Sequence, residues 1–112
     1  MSPSDNTIQD TQILFQTMKP LAGFAQRAGL VINGREKLRR SQGALQFILV
    51  GGDLSEKSRD EVLHTMKCPV YQALDAQMLE ELFGMKNTKI LGLKKNPLAA
   101  NLEKCLTSCR IQ

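Results

Sequence analysis

Residues 21–53 read LAGFAQRAGLVINGREKLRRSQGALQFILVGGD, and the order of patterns in this stretch decides the fold class. A helical segment ends at Arg27-Ala28-Gly29, where glycine suits the left-handed residue that closes a helix. Val31-Ile32 supplies a short strand. A basic helix over 34–42 is then entered at Asn33-Gly34 and stopped at Gly43. LQFILV, residues 45–50, is a continuous apolar run of strand length, the pattern of a central strand covered on both faces. It closes on Gly51-Gly52-Asp53. That turn lacks the Gly-Lys-Ser/Thr ending of a nucleotide loop and the spaced glycines of a dinucleotide fold, so it reads as a tight strand-to-helix turn.

The same alternation extends outward in both directions. Upstream, Ile8, Leu14, Phe15, Met18, Leu21, Phe24, Ala25 and Ala28 recur at helical spacings. Pro20 is expected to kink that helix or divide it in two, because proline removes a donor and crowds the preceding turn. Downstream, Ser55 opens a helix with Val62, Leu63 and Met66 inward, and residues 69–73 form a third strand. Asp75 caps a short helix ended by Gly84. Residues 88–93 form a fourth strand. Asn96-Pro97 starts a last helix whose apolar stripe is Leu98, Leu102 and Leu106. Strands alternating with helices predict an α/β fold, a three-layer α/β/α sandwich around a mostly four-stranded mixed sheet. Residues 1–17 are set apart as a partly helical N-terminal extension, and 18–112 as one domain.

Composition narrows the setting. A chain of 112 residues can bury a core without staples, and its 42% hydrophobic content suits a globular protein. No apolar run approaches the roughly 20 residues needed to cross a bilayer, and the first ten residues are polar and acidic. The expected address is therefore the cytoplasm. Three cysteines, an odd number, fit a reducing compartment better than a disulfide framework.

The formal charge of +4 is unevenly placed. Asp5 and Asp10 give residues 1–18 a charge of −2. Residues 19–43 carry Lys19, Arg27, Arg35, Lys37, Arg39 and Arg40 against Glu36, giving +5; residues 44–83 carry −4, and 84–112 return to +5. Two basic blocks around an acidic one suggest a polarised surface if the fold brings the basic blocks together. The plainer reading is that the charges solvate helix faces.

Catalytic patterns are weak. His64 is the one histidine, with no nucleophile beside it in sequence. Asp60-Glu61 and Glu80-Glu81 are chain neighbours on helices and point apart. His64-x-x-x-Cys68 and Cys105-x-x-x-Cys109 would make a tetrahedral metal site only if the helix ending near Cys68 met the C-terminal helix. The expectation is a protein that is not an enzyme and needs neither metal nor cofactor. Binding is better supported. A helix entrance at Asn33-Gly34 presents free backbone donors beside Arg35, Lys37, Arg39 and Arg40, an arrangement suited to a phosphodiester backbone. The second basic block adds Lys86, Asn87 and Lys89. Four Phe, one Tyr and no Trp leave little for stacking successive single-stranded bases, so a structured RNA read by shape and backbone fits better.

The succession LAGFAQRAG, VINGREK and GALQFILVGGD resembles the kink-turn-binding ribosomal proteins. These comprise the archaeal large-subunit protein seven-Ae, the eukaryotic L-thirty-e and small stand-alone bacterial relatives. The likeness continues through DLSEKSRDEV, CPVYQA, DAQMLEELFG, TKILGL and NPLAANLEKCL, and so spans about residues 18–107. It implies a sandwich that binds RNA at a sharply bent kink-turn, within a ribosomal or translation-related ribonucleoprotein. The family's Gly-x-Asn-Glu-x-x-Lys pattern falls on Gly34, Glu36-Lys37 and Arg40. Asn-Glu itself is absent, with Glu36 and Asn33 as its nearest substitutes, and the second helix is about two residues shorter than the family's. The family's second contact loop corresponds to Gly84, Met85, Lys86, Asn87 and Thr88. The RNA-contacting set implied is Asn33, Gly34, Arg35, Glu36, Lys37, Arg40, Met85, Lys86 and Asn87. Two other roles share this fold: a protein-interaction adaptor without RNA, and an orphan substrate-recognition domain of an RNA methyltransferase, which would need a partner chain carrying the cofactor.

Overall fold

The computed structural model describes residues 3–86 and 88–111, with side chains from Thr11 onward. Helix α1 (Pro3–Arg27) is one element that continues through Pro20, so the proline does not divide it in two. Pro20 is exposed, so its ring lies away from the buried face. That face carries Phe15, Met18, Ala22 and Ala25, which hold both halves of the helix to the same core. Phe24 and Ala28, read as inward from their spacing, lie outside this stripe and are exposed. The Phe24 ring instead receives the Arg27 guanidinium, 4.9 Å from its centroid. Gly29, at φ 72°, ends the helix with a paired closure: its N–H reaches the Gln26 carbonyl, and the Leu30 N–H reaches that of Ala25.

Strand β1 (Val31–Asn33) leads to helix α2 (Arg35–Arg40), shorter than the expected 34–42. The chain tightens after Ser41 into a 3₁₀ turn, Gln42–Ala44, which contains Gly43 and delivers the chain to β2 (Leu45–Val50). Helix α3 (Glu56–Thr65) starts at Ser55, whose hydroxyl accepts the Ser58 N–H. Then follow β3 (Val70–Gln72), α4 (Ala76–Phe83), β4 (Ile90–Lys94) and α5 (Pro97–Cys105). Asp75 caps α4 through the Met78 N–H and Asn96 caps α5 through the Leu98 N–H, as their residue types indicated. β4 begins two residues later than expected, because Thr88 turns inward and donates to the Lys86 carbonyl.

The sheet runs β1-β4-β2-β3, with β2 and β3 parallel and the other pairs antiparallel. A register irregularity between Leu45 and Phe47 changes the alternation along β2. Leu45, Ile48 and Val50 join one core with Leu38 of α2, Val62 and Met66. Phe47 and Leu49 join the other with α1, α4 and α5, and Gln46 on that side reaches Glu103. The architecture is thus the three-layer α/β/α sandwich, with α2 and α3 on one face and α1, α4 and α5 on the other. The outer edge of β3 is met by the C-terminal segment, where the Ile111 N–H bonds to the Val70 carbonyl. No helix among the described residues is long and apolar enough to cross a membrane.

Candidate nucleic-acid interface

Sheet register assembles the candidate surface. Asn33, the last residue of β1, lies opposite Leu91 at the start of β4. The turn leaving β1 and the loop entering β4 therefore emerge side by side at one end of the sheet. These are the two segments, 33–36 and 84–89, that carry the sequence-derived site. The Gly51–Asp53 turn shares this end, since the Gly51 N–H donates to the Lys89 carbonyl at 2.9 Å. Its role is structural: the Asp53 carboxylate accepts the Ala76 N–H at 3.2 Å, tying the turn to the start of α4.

Gly34 has φ 101° and ψ 133°, a region closed to residues with a side chain. A Cβ there would meet nothing within 4 Å, so the backbone conformation, not crowding, requires glycine. No side chain caps α2, which leaves its first N–H groups uncapped at the loop end. At six residues the helix has only a slight dipole, and the cations must supply most of the attraction.

Those cations do not form one face. Leu38 is the single buried residue of α2 and anchors it to the sheet. On the flank toward α3, the Arg35 guanidinium donates to Glu61 at 2.9 Å. The Arg39 guanidinium donates to Glu36 at 2.7 Å. Arg39 and Arg40 hold the Glu36 carboxyl below its ordinary range, Arg39 through the hydrogen bond above all. Such exposed pairs are well screened by water and weak enough for a phosphate to replace. On the opposite flank, Lys37 and Arg40 border a groove of about 390 Å³ with Ile32, Ser41 and Lys94.

The second loop starts at Gly84 in the left-handed conformation, with the Gln26 side chain packed where a Cβ would project. Met85 is half-buried, Thr88 is buried, and Lys86 and Lys89 are exposed, so these two lysines are cations the segment offers to solvent. Asn87 lies outside the described residues. Lys94 and Ser41 were missing from the sequence-derived set. Ser41 follows Arg40 in the chain, whereas Lys94 lies 54 positions from Arg40 and is brought beside it by the pairing of β4 with its neighbours in the sheet. The Lys94-Lys95 pair ending an apolar strand was the available signal.

His64 is exposed on α3. Cys68 packs against the α2/α3 core, whereas Cys105 and Cys109 pack against the core on the other side of the sheet. Burial, first of all, pushes the Cys68 thiol up, which suits an inert packed residue better than a nucleophile. Among the described residues no three His, Cys, Asp or Glu side chains are grouped to hold a metal.

No protein-family model and no curated protein matches this sequence. Solved structures do. A protein of unknown function from Bacillus halodurans superposes with a TM-score of 0.73 at 20% identity, covering 80% of this chain and 96% of the other. A 15.5kD RNA binding protein from Giardia lamblia superposes with a TM-score of 0.65 at 12% identity, covering 86% of this chain and 87% of its own. At these identities the likeness is one of fold.

Proposed function

We propose that this protein is a non-enzymatic RNA-binding module that recognises structured RNA of the kink-turn class in a ribosomal or translation-related ribonucleoprotein. The observation that carries the reading is the β1–β4 register, which sets the Gly34 turn and the Lys86 loop together at one end of the sheet. Likeness of fold to the Giardia RNA binding protein supports it. So do the charge blocks, because both basic stretches contribute to this end. Glu36 and Lys37 stand where the family pattern has Asn-Glu, and the Glu36 carboxylate, freed from Arg39, is an acceptor for exposed base amino groups.

Titration of a kink-turn hairpin against the same hairpin with its internal loop closed into duplex tests the reading. Binding should favour the bent RNA and fall steeply with salt. Arg35, Lys37, Arg39 and Arg40 changed together to alanine should weaken it by at least about tenfold. Failure of the unaltered protein to bind any structured RNA at low salt overturns the proposal. Equal binding by the quadruple variant shows that the face is wrong.

A second reading, the protein-interaction adaptor, draws on Ile13 and Phe24, which are 64% and 56% exposed on α1. Isolation of a protein partner that Phe24→Ser releases, from a chain that binds no RNA, would favour it.

A further inference from the structure

We infer that the groove between the far flank of α2 and the β1–β4 edge is a second phosphodiester site, which holds the backbone of a helical RNA arm leading away from the loop end. The inference rests on the RNA-binding reading and adds to it a direction along which the RNA runs.

Its basis is the placement of Lys94. Asn33 and Leu91 are paired at the loop end, and Val31 is paired with Leu93 at the opposite end, with Lys94 one step beyond. The Lys94 N–H bonds to the Leu30 carbonyl, fixing it at that far end. Helix α2 runs back along the sheet from Gly34, so Lys37 lies midway and Arg40 and Ser41 lie near Lys94. Six residues at 1.5 Å each make the track about 9 Å long, the rise of two to three nucleotides along a helix axis.

The chemistry of the groove points to backbone, not bases. Its lining is Ile32, Lys37, Arg40, Ser41 and Lys94, with three cations, one hydroxyl and no acid. It contains no aromatic ring on which a base could stack. Lys37, Lys94 and the Ser41 hydroxyl have no hydrogen-bond or ion-pair partner among the described side chains, unlike Arg35 and Arg39 across the helix. The Arg40 Nε reaches the Glu36 carbonyl only at 3.5 Å, a long contact that a phosphate oxygen can replace. Cations without acidic partners give up no ion pair when they bind phosphate. This flank is therefore the one on which an added phosphate gains most.

The test compares the salt dependence of binding for a kink-turn hairpin with long arms and one with both arms trimmed to the internal loop. Lys94→Gln should reduce the slope of log affinity against log salt by about one on the long-armed RNA, and Lys37→Gln with Lys94→Gln by about two. On the trimmed RNA, Lys94→Gln should change nothing. Lys57→Gln, the same charge change on exposed α3, should leave both slopes as they are. All three positions are exposed, and unchanged thermal unfolding would confirm that the variants fold. If the unaltered protein binds and Lys94→Gln keeps the full slope on long-armed RNA, the groove is not a site and the loop-end reading, to which Lys37 already belongs, stands. If Lys94→Gln acts equally on both RNAs, the arm direction is wrong. If the unaltered protein binds neither RNA, the reading and the groove fall together.

Discussion

Tyr71 is where burial and a hydrogen bond act on one titrating group. Its ring meets Phe47 edge-on, with centroids 5.6 Å apart, and its hydroxyl donates to Glu103 at 2.7 Å. The other Glu103 oxygen accepts from Gln46, so one carboxylate links α5 to both β2 and β3. Burial first, and Glu103 second, push the Tyr71 hydroxyl up to about 12 from its ordinary 10. A folded-state value above the unfolded one means that the stabilisation is complete below pH ~10 and is lost as pH rises toward 12. The chain has one tyrosine, so tyrosinate absorbance reports this group alone. The absorbance should rise near pH 12 or together with alkaline unfolding, whichever comes first. A midpoint at the ordinary value with the fold intact would contradict the buried hydrogen bond. Tyr71→Phe should cost about 1 kcal/mol at neutral pH and flatten the loss of stability between pH 10 and 12.

Helix α2 owes its seat to a glycine in another element. A Cβ on Gly92 of β4 would lie 2.5 Å from a Leu38 methyl and 3.0 Å from one of Leu45. Gly92→Ala should therefore destabilise the fold by about 1–3 kcal/mol through overpacking. Leu38→Ala alone should cost about 2–5 kcal/mol. The double variant should cost less than the two summed, because removing the Leu38 methyls makes room for the new one. Additive costs in denaturant unfolding would mean that the two residues do not touch. This contact also marks how far the sequence could be read. Caps at Ser55, Asp75 and Asn96, the closure at Gly29 and the run at 45–50 are local, so residue type and spacing revealed them. The irregularity at Gln46 was not legible, because it is defined by pairing with β4. Nor was the division of the α2 cations into two flanks. Arg35 and Arg39 are set apart from Lys37 and Arg40 by α3 on one side and Lys94 on the other, and neither neighbour is near in sequence. Phe24 shows the converse error, where regular spacing suggested burial that the packing of α1 does not provide.

The two faces of the sheet are unequal, and the candidate interface sits on the thinner one. Among the described side chains, sixteen are buried in the core beneath α1, α4 and α5, against eight beneath α2 and α3. Apolar burial contributes roughly 25 cal/mol per Å², so the α2/α3 layer is held less strongly. Local opening follows this inequality, since the free energy of opening a segment scales with what it uncovers. Hydrogen exchange should therefore be faster in α2, and in α3 on either side of Val62, than in α4 and α5. If α2 amides exchange as slowly as those of α5, the thin layer is not a separate opening unit. Bound RNA should reverse the order. A ligand present at a hundred times its dissociation constant adds about 2.7 kcal/mol to the state that binds it. If RNA contacts both flanks of α2, protection should rise most in residues 35–41 and 84–89. Equal slowing across the whole sheet would instead mean that RNA stabilises only the global fold. In that case the α2 layer would not open by itself, and binding would have no lower-cost opening to suppress.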